Sequence, residues 1–262
     1  LGDLEARRIR FIGDAASRIR EDYLRILRFF RFHAQYGRGD LDRDGLDACV
    51  RGRRGLARLS GERIRQELAK LFCAPRAMAS VGAMIDYGVL GEVLPVAPRP
   101  AMFERMLTLD GADDWALRLA ALAVSTSEDA IRLADLLKLS NVERQTLEEA
   151  APALRRESEI EDEAALKMHR YRVGRDAYVR HVLVAWAASD AAVDDAGYGH
   201  ALSLGESWEP PRFPLTGEDV LAHGVAAGPE IGALLRALED GWVEAGFAAD
   251  REQLLARLSE LI

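Results

Sequence analysis

Hydrophobic residues recur at helical spacing along most of the chain. In residues 18–36 they fall three or four positions apart, which predicts one long amphipathic helix. The same spacing follows Ser60, a residue type common at helix starts. Only residues 5–12 suggest a short strand. The pattern predicts an all-α fold, an elongated array of many helices with at most one short strand at the N-terminus.

Breaker residues divide the predicted helices into groups. Three prolines within residues 95–100 mark a first boundary, and the acidic stretch Glu157–Glu163 is a second possible junction. Two helices are expected to follow, at 163–173 and 175–189. Pro210-Pro211 then interrupts the chain before a closing helical group.

The composition is that of an ordinary globular protein. Of 262 residues, 49% are hydrophobic and 30% are charged, which argues against a disordered tail. No apolar run approaches the roughly 20 residues needed to span a bilayer, and no signal-peptide pattern opens the chain. Cys49 and Cys73 lack metal-ligand spacing, and two inert thiols indicate a reduced, cytoplasmic setting. The chain opens at Leu1, inside a segment with a structured pattern, which suggests a piece of a longer protein.

Charge is unevenly distributed along the sequence. The net charge is −8, yet residues 1–76 hold 18 Lys and Arg against 11 Asp and Glu. The remaining residues carry 17 basic and 32 acidic side chains. A basic N-terminal third points to an anionic partner at one end, and nucleic acid or nucleotide phosphates fit that description. The alternative is a basic face that the acidic part of the same molecule neutralises.

The most informative segment is the first part of the predicted helix 18–36. At 100° per residue its charged side chains fall within an arc of about 120°, opposite an apolar face. These side chains are Arg18, Glu21, Asp22, Arg25 and Arg28. One interpretation is a solvated ladder of ion pairs, each contributing about 0.2–0.5 kcal/mol. The pairs would be Glu21 with Arg25, Arg18 with Asp22, and Asp22 with Arg25.

A sharper interpretation is recognition of a nucleobase. Asp22 only accepts hydrogen bonds, and Arg25 only donates them. Adenine and cytosine present an amino donor beside an unprotonated ring nitrogen, whereas guanine and uracil present these functions in reverse order. An Asp and an Arg one helical turn apart would therefore select A and C, because the wrong base leaves buried polar groups unpaired.

A known family carries the same pattern. The Glu-Asp-x-x-Arg motif of class II tRNA nucleotidyltransferases and bacterial poly(A) polymerases resembles Arg18-Ile19-x-Glu21-Asp22-x-Leu24-Arg25-x-Leu27-Arg28-x-x-Arg31-Phe32. The resemblance implies that Asp22 and Arg25 choose the incoming nucleotide and that Glu21 orients the arginine. Arg18 and Arg28 complete the expected nucleotide-binding set.

A second motif follows at residues 59–68, Leu-Ser-Gly-Glu-Arg-Ile-Arg-Gln-Glu-Leu. It resembles the next motif of the family, a helix that braces the nucleotide-binding one. Arg63 is the candidate for the bracing contact, and the alternative is an ion pair between Arg63 and Glu67 on one helix. A weaker likeness extends through residues 137–141, 169–174 and 215–232.

The resemblance implies a division of labour along the chain. Residues 1–14 would be a remnant of the catalytic head, 15–95 the neck with the nucleotide-selecting helix, 96–156 the body and 157–262 the tail. The implied function is the nucleotide-selecting and tRNA-binding part of an enzyme that adds C and A to tRNA 3′ ends. The implied partners are the tRNA 3′ end, ATP and CTP, with no membrane. The alternatives are a fragment of a poly(A) polymerase and a non-enzymatic helical RNA-binding module.

The metal-binding carboxylates of the family are not found in the sequence. The family's head holds a Gly-rich phosphate loop and an Asp-x-Asp pair that binds two divalent metals. Asp40-Leu41-Asp42 has the spacing but lies in a turn after a helix, without such a loop before it, so a solvated loop is expected. The resemblance implies Mg²⁺ in the missing head and none on this chain. We therefore expect no catalytic and no metal-ligating residue here, and no activity of this chain alone.

Two further segments are candidates for phosphate contacts. The arginines that precede the bracing helix could meet the RNA backbone or could simply be solvated. They are Arg51, Arg53, Arg54 and Arg58. In the tail, Thr216 with Asp219 approaches a capping box, and Pro229 suits the first turn of a following helix. A packed helical hairpin and a phosphate contact are both open there.

Overall fold

The computed structural model describes residues 2–154 and 162–262. Every regular element in these two ranges is a helix, so the all-α prediction is confirmed. The short strand predicted for residues 5–12 is wrong. The chain leaves a helix at Glu5 and reaches Phe11 without regular structure, and the Phe11 ring stacks on Phe29 at a centroid distance of 5.4 Å. The described ranges offer no second strand for this segment, and its aromatic residue packs on a helix instead.

Two compact units contain the helices. The first unit is Leu1–Ser158 with Val179–Tyr198, and the second is Glu159–Tyr178 with Gly199–Ile262. The first unit holds α1 (Gly2–Glu5), α2 (Ala15–Glu21), α3 (Leu24–Tyr36), α4 (Arg43–Gly52), α5 (Gly61–Phe72), α6 (Ala77–Asp86), α7 (Pro100–Met106), α8 (Trp115–Ala123), α9 (Ser127–Leu137) and α10 (Asn141–Ala153), with 3-10 helices at Arg53–Arg58 and Leu90–Glu92. The later helices are α11 (Glu163–Val173), α12 (Arg175–Ala188), α13 (Ala196–Ser207), α14 (Gly217–Ala222), α15 (Pro229–Glu244) and α16 (Arg251–Leu261).

The core of the first unit forms around α3. This helix packs against α5 and α6, while α2 packs against α4. The apolar stripe predicted after Ser60 is confirmed, because Ile64, Leu68, Leu71 and Phe72 are all buried on α5. Burial of a large apolar side chain contributes about 1.5–3 kcal/mol. The packing therefore fixes α5 against the helix that carries the charged stripe.

The backbone of the first turn of α5 packs closely against the end of α9. A Cβ at Gly61 would lie 2.0 Å from the Leu136 carbonyl oxygen, so no other residue fits at this position. Lys138 then closes α9 in the left-handed conformation, with φ 53°. Ser140 and Glu143 form a capping box at the start of α10. The α9–α10 turn is thus tightly built where it meets α5.

The second unit has an aromatic core on α15. Trp242 is buried, and the rings of Tyr171, Phe213 and Phe247 lie 5.9, 5.5 and 5.1 Å from it. The expected tail elements are confirmed: Thr216 and Asp219 form a capping box, Pro229 opens α15, and α14 packs on α15. The phosphate contact considered for this segment stays a prediction.

The predicted junction Glu157–Glu163 lies largely outside the described residues. Beyond it, the helices predicted at 163–173 and 175–189 are confirmed as α11 and α12. The division into head remnant, neck, body and tail stays a prediction. Among the residues described, no helix has both the length and the apolar character needed to cross a membrane.

Candidate nucleotide-binding site

The segment predicted as one helix is interrupted at its most charged point. Helix α2 ends at Glu21, and α3 begins at Leu24. Between them, Asp22 has an extended backbone with φ −156° and ψ 111°. The prediction of a continuous helix over 18–36 is wrong at this point. The charged side chains before and after the break therefore do not share one helix face as predicted. Asp22 closes α2, whereas Arg25 lies in the first turn of α3.

Local contacts explain the break. The Asp22 Oδ1 accepts a hydrogen bond from the Leu24 backbone N–H at 3.1 Å, an alternative to helical bonding that a short acidic side chain offers. The next residue, Tyr23, packs its ring on Gly55, where a Cβ would lie 2.1 Å from the ring. The Arg58 guanidinium stands 5.6 Å from the centre of the same ring. The 3-10 helix Arg53–Arg58 therefore packs against the break and requires glycine at the contact.

The Asp22 carboxylate is held by the candidate bracing residue. Arg63 Nη2 donates to Asp22 Oδ2 at 2.8 Å. Partial burial acts to raise the pKa of Asp22, but the hydrogen bonds from Leu24 and Arg63 and the charge of Arg63 outweigh it and leave the pKa below its usual value. Asp22 is therefore ionised at neutral pH and able to accept further hydrogen bonds.

Arg25 is held by a different partner. Its Nη1 donates to Glu21 Oε2 at 2.6 Å and to the Arg18 carbonyl at 2.7 Å. The same Glu21 oxygen accepts from Arg18 at 2.5 Å. The hydrogen bonds from Arg25 and then from Arg18 lower the pKa of Glu21. The contact expected between Glu21 and Arg25 is present, and it leaves the Arg25 Nη2 and Nε donors for another acceptor.

The ladder of ion pairs forms only in part. The Glu21–Arg25 pair is present, but within residues 2–154 Asp22 makes no salt bridge to Arg18 or Arg25. The extended backbone at Asp22 removes the helical spacing on which those two pairs depend. Asp22 and Arg25 consequently keep separate partners instead of neutralising each other.

A buried carboxylate supports the following turns of α3. Glu67 on α5 is 6% exposed at its side chain, and it accepts from Arg28 at 3.1 Å and from Arg31 at 2.5 Å. Arg63 pairs with Asp22, so the alternative of an Arg63–Glu67 pair on one helix is wrong. Glu67 was not among the residues expected at the site. The sequence signal was only that Glu67 falls on the apolar face of the predicted helix, three residues after Ile64 and four before Leu71.

The arginines of α2 and α3 border open space. Asp22 and Arg25 have side chains 28% and 26% exposed, so neither is sealed in the interior. A cavity of about 270 Å³ opens beside Arg25, close to the smallest volumes typical of small-ligand sites. It is lined by residues 9–12 and by Arg18, Arg25, Arg28, Phe29 and Phe32.

The predicted basic cluster divides into engaged and exposed members. Arg53 donates to the Val50 carbonyl at 2.7 Å and lies 3.8 Å from Glu92. Arg51, Arg54 and Arg58 are exposed. The exposed arginines are the ones that a phosphate backbone could reach.

The Asp40–Asp42 segment has a structural part in the turn. The Asp42 side chain accepts from the Gly45 N–H at 2.9 Å and caps α4, while Asp40 is exposed. Across residues 2–154 and 162–262, no three His, Cys, Asp or Glu side chains are grouped to hold a metal ion.

The chain is similar in sequence to known proteins. Residues 40–98 match a family model described as the probable RNA and SrmB-binding site of polymerase A. Over 272 residues the chain is 30% identical to mitochondrial CCA tRNA nucleotidyltransferase 1 of Mus musculus, covering 98% of this chain and 60% of the relative. It is 29% identical over 278 residues to the CCA-adding enzyme of Limosilactobacillus fermentum, covering all of this chain and 65% of the relative.

Solved structures share the fold. The CCA-adding enzyme of Bacillus stearothermophilus, crystallised in complex with CTP, superposes with a TM-score of 0.74 at 25% identity and covers 99% of this chain and 67% of its own. The Thermotoga maritima CCA-adding enzyme complexed with tRNA shares the fold at a TM-score of 0.65 and 18% identity. The chain is therefore similar over nearly its whole length to CCA-adding enzymes. It spans 60–65% of the length of the curated relatives named above.

Proposed function

We propose that this chain selects the nucleotide and binds the tRNA in an enzyme that adds C and A to tRNA 3′ ends. The observation that carries the proposal is the separate support of Asp22 and Arg25. Arg63 holds the carboxylate and Glu21 holds the guanidinium, and both side chains remain partly exposed. The acceptor and the donor each keep unused hydrogen-bonding positions, which reading the edge of a base requires.

The hydrogen-bonding capacity of the two side chains matches this role. Each Asp22 oxygen has one partner and a second acceptor position left. Arg25 uses only Nη1, so three N–H donors are left. Asp22 accepts from the amino group of adenine or cytosine, while Arg25 donates to the adjacent ring nitrogen. Guanine and uracil set a carbonyl against the carboxylate and a ring N–H against the guanidinium, which leaves both pairs mismatched.

The remaining arginines suit the phosphates of the nucleotide and of the RNA. Arg18 and Arg28 border the same cavity as Arg25 and supply positive charge beside the base. Arg51, Arg54 and Arg58 are exposed near the break and fit contacts to the tRNA backbone. The relatives named above include enzymes solved with CTP and with tRNA, which supports these two classes of ligand.

The proposal assigns the chemical step to carboxylates outside this chain. Two-metal catalysis needs paired acidic ligands for Mg²⁺, which would activate the attacking hydroxyl and stabilise the leaving pyrophosphate. Among the described residues, no three or more His, Cys, Asp or Glu side chains are grouped to hold a metal ion. The chain alone is then expected to transfer no nucleotide when it is given tRNA, CTP, ATP and Mg²⁺.

A poly(A) polymerase is the second candidate, favoured by the family model that matches residues 40–98. The complete protein separates the two functions when it receives tRNA that lacks its 3′ CCA. Incorporation of two C residues and then one A supports CCA addition, whereas a run of A alone supports poly(A) synthesis.

Nucleotide binding by this chain tests the proposal directly. We expect ATP and CTP to bind at least about ten-fold tighter than GTP and UTP, because a mismatched buried polar group costs roughly 1–3 kcal/mol. Asp22→Ala should bring the four dissociation constants together, and the exposed Asp86→Ala should leave them unchanged. Equal affinities in the unmodified chain, or discrimination that survives Asp22→Ala, would contradict the proposal. Binding of tRNA without any nucleotide would favour the non-enzymatic RNA-binding module.

A further inference from the structure

The helix that carries Arg63 is also held by a second arginine. Arg65 Nη1 donates to Glu143 Oε2 at 3.1 Å and to the Lys138 carbonyl at 3.0 Å. Two positions on a helix are about 200° apart, so Arg63 and Arg65 leave α5 in nearly opposite directions. Arg63 reaches the break at Asp22, while Arg65 reaches the turn between α9 and α10.

Glu143 is a fixed point in that turn. Its Oε2 also accepts from the Ser140 N–H at 2.7 Å and from the Ser140 hydroxyl at 2.8 Å, and its Oε1 accepts from Trp115 Nε1 at 3.1 Å. Partial burial acts to raise the pKa of Glu143, but the hydrogen bonds from Ser140 and the charge of Arg65 outweigh it and hold the pKa low. The charged carboxylate therefore has hydrogen bonds to α8 and to the start of α10 in addition to its contact with α5.

The close contact at Gly61 and the Arg65–Glu143 pair restrain different motions of α5. Contact between Gly61 and the Leu136 carbonyl fixes how closely the first turn approaches α9. The buried apolar face fixes the orientation of α5 as a whole. Arg65 adds a polar restraint on its first turns, from the side of α5 that faces away from Asp22.

We propose that Glu143 is a positioning residue for base selection, acting through Arg65 to hold the first turns of α5 so that Arg63 meets Asp22. The inference rests on the proposed function, because it explains how the base-reading carboxylate is held. Glu143 contacts α5 and α8 and reaches the nucleotide only through Arg65 and Arg63. Loss of the restraint lets the first turns of α5 shift, which weakens the Arg63–Asp22 hydrogen bond and leaves the Asp22 carboxylate less firmly held.

Three substitutions separate this role from helix capping. Arg65→Met removes the contact and leaves the Ser140–Glu143 capping box intact. Glu143→Gln keeps an acceptor oxygen for the Ser140 N–H but removes the negative charge, and it carries the test if Arg65→Met fails to fold. Arg65→Lys restores a positive charge on the same turn. The matched control is Arg132→Met on α9, whose side chain is 54% exposed and pairs with Asp129 on the same helix.

Two measurements report on the coupling. Carboxyl NMR of Asp22 follows its titration, which responds to Arg63 and is indifferent to general stability. Dissociation constants for the four nucleotides give two discrimination ratios, GTP over ATP and UTP over CTP. We expect Arg65→Met and Glu143→Gln to raise the pKa of Asp22 and to narrow both ratios by about three- to ten-fold, a coupling typical of residues in one contact network. Arg65→Lys should recover part of both effects, and Arg132→Met should match the unmodified chain.

The outcomes distinguish this inference from the function on which it rests. If Asp22→Ala abolishes discrimination but Arg65→Met changes neither the titration of Asp22 nor the ratios, the proposed function stands and the role of Glu143 is overturned. If Arg65→Met narrows the ratios while the pKa of Asp22 stays unchanged, the route through Arg63 is wrong. If Asp22→Ala itself leaves the ratios intact, the proposed function fails and this inference fails with it.

Discussion

Arg63 donates a hydrogen bond to Asp22 over 2.8 Å, joining residues 41 positions apart in the chain. The contact ties the middle of the α2–α3 break to a helix that is itself packed into the core. Because Arg25 takes its partner from Glu21 instead, the carboxylate and the guanidinium are positioned independently. A substitution can therefore disturb one half of the site and leave the other in place.

Glu67 should be a main determinant of stability in this part of the fold. Glu67→Gln removes the charge that faces Arg28 and Arg31, and an unpaired buried charge is costly. We expect the free energy of unfolding to fall by about 2–3 kcal/mol, less than for a fully buried pair, because the exposed Arg28 recovers hydration. Denaturant titration checks this value.

Glu62→Gln is the control for Glu67, since it changes an exposed residue of the same helix. Its effect should stay within about 0.5 kcal/mol. Equal effects of the two substitutions would show that the arginine pairing contributes nothing specific.

Two helical glycines should respond to alanine in opposite directions. Gly61→Ala places a Cβ 2.0 Å from the Leu136 carbonyl and should destabilise the protein by about 1–3 kcal/mol, because backbone must move. Gly82→Ala, inside α6 with open space around it, should stabilise by about 0.5–1 kcal/mol through helix propensity. Thermal unfolding of both variants gives the comparison, and a stabilising Gly61→Ala would disprove the close approach of α5 and α9.

His33 should make stability depend on pH. Burial lowers the pKa of His33, and the charge of Arg76 lowers it further. The hydrogen bond to the Gly39 carbonyl raises the pKa but does not outweigh these two effects. The folded chain thus favours neutral His33, which contacts Ser80 and Gly39 at 3.2 Å. The contribution of neutral His33 to the free energy of unfolding is present above its pKa of 6.5 in the unfolded chain. It is lost as the pH falls through the lower pKa of His33 in the folded chain.

Denaturant midpoints measured from about pH 7.5 to 5 reveal this dependence. His33→Gln should flatten the curve, while His223→Gln, at an exposed position, should leave its shape unchanged. A curve that keeps its slope in His33→Gln would assign the acid sensitivity to other groups.

The salt dependence of tRNA binding should separate the arginines of the basic cluster. Each arginine that contacts a phosphate contributes about one unit to the slope of log affinity against log salt. Arg54→Met and Arg58→Met should each reduce the slope by about one, because both side chains are exposed. Arg53→Met should leave it unchanged, since Arg53 already bonds Val50 and pairs with Glu92. Identical slopes for all three variants would contradict a direct phosphate contact.

Hydrophobic periodicity was sufficient to predict the all-α fold and the buried face of α5. It could not reveal the interruption at Asp22, because the apolar spacing continues unchanged through the break. The cause is partly remote: Tyr23 needs a glycine beneath its ring, and Gly55 lies in another element. Only the folded chain brings that pair together.

The difference between local and remote contacts also explains which parts of the site could be predicted from the sequence. The Glu21–Arg25 contact follows from spacing on neighbouring turns, and Arg63 was singled out through family resemblance. The two-arginine environment of Glu67 depends on α5 lying against α3, which no local pattern encodes. The nucleotide-choosing role of Asp22 and Arg25 stays a prediction that binding measurements decide.

The interruption between α2 and α3 also changes the electrostatic environment of Asp22. A continuous helix would leave its carboxylate among peptide groups already bonded to one another. A new helix start places partly positive N–H groups beside it, and the first of these bonds the carboxylate directly. Negative charge at this point is thus sustained by the backbone itself, so it would outlast the loss of any single arginine nearby.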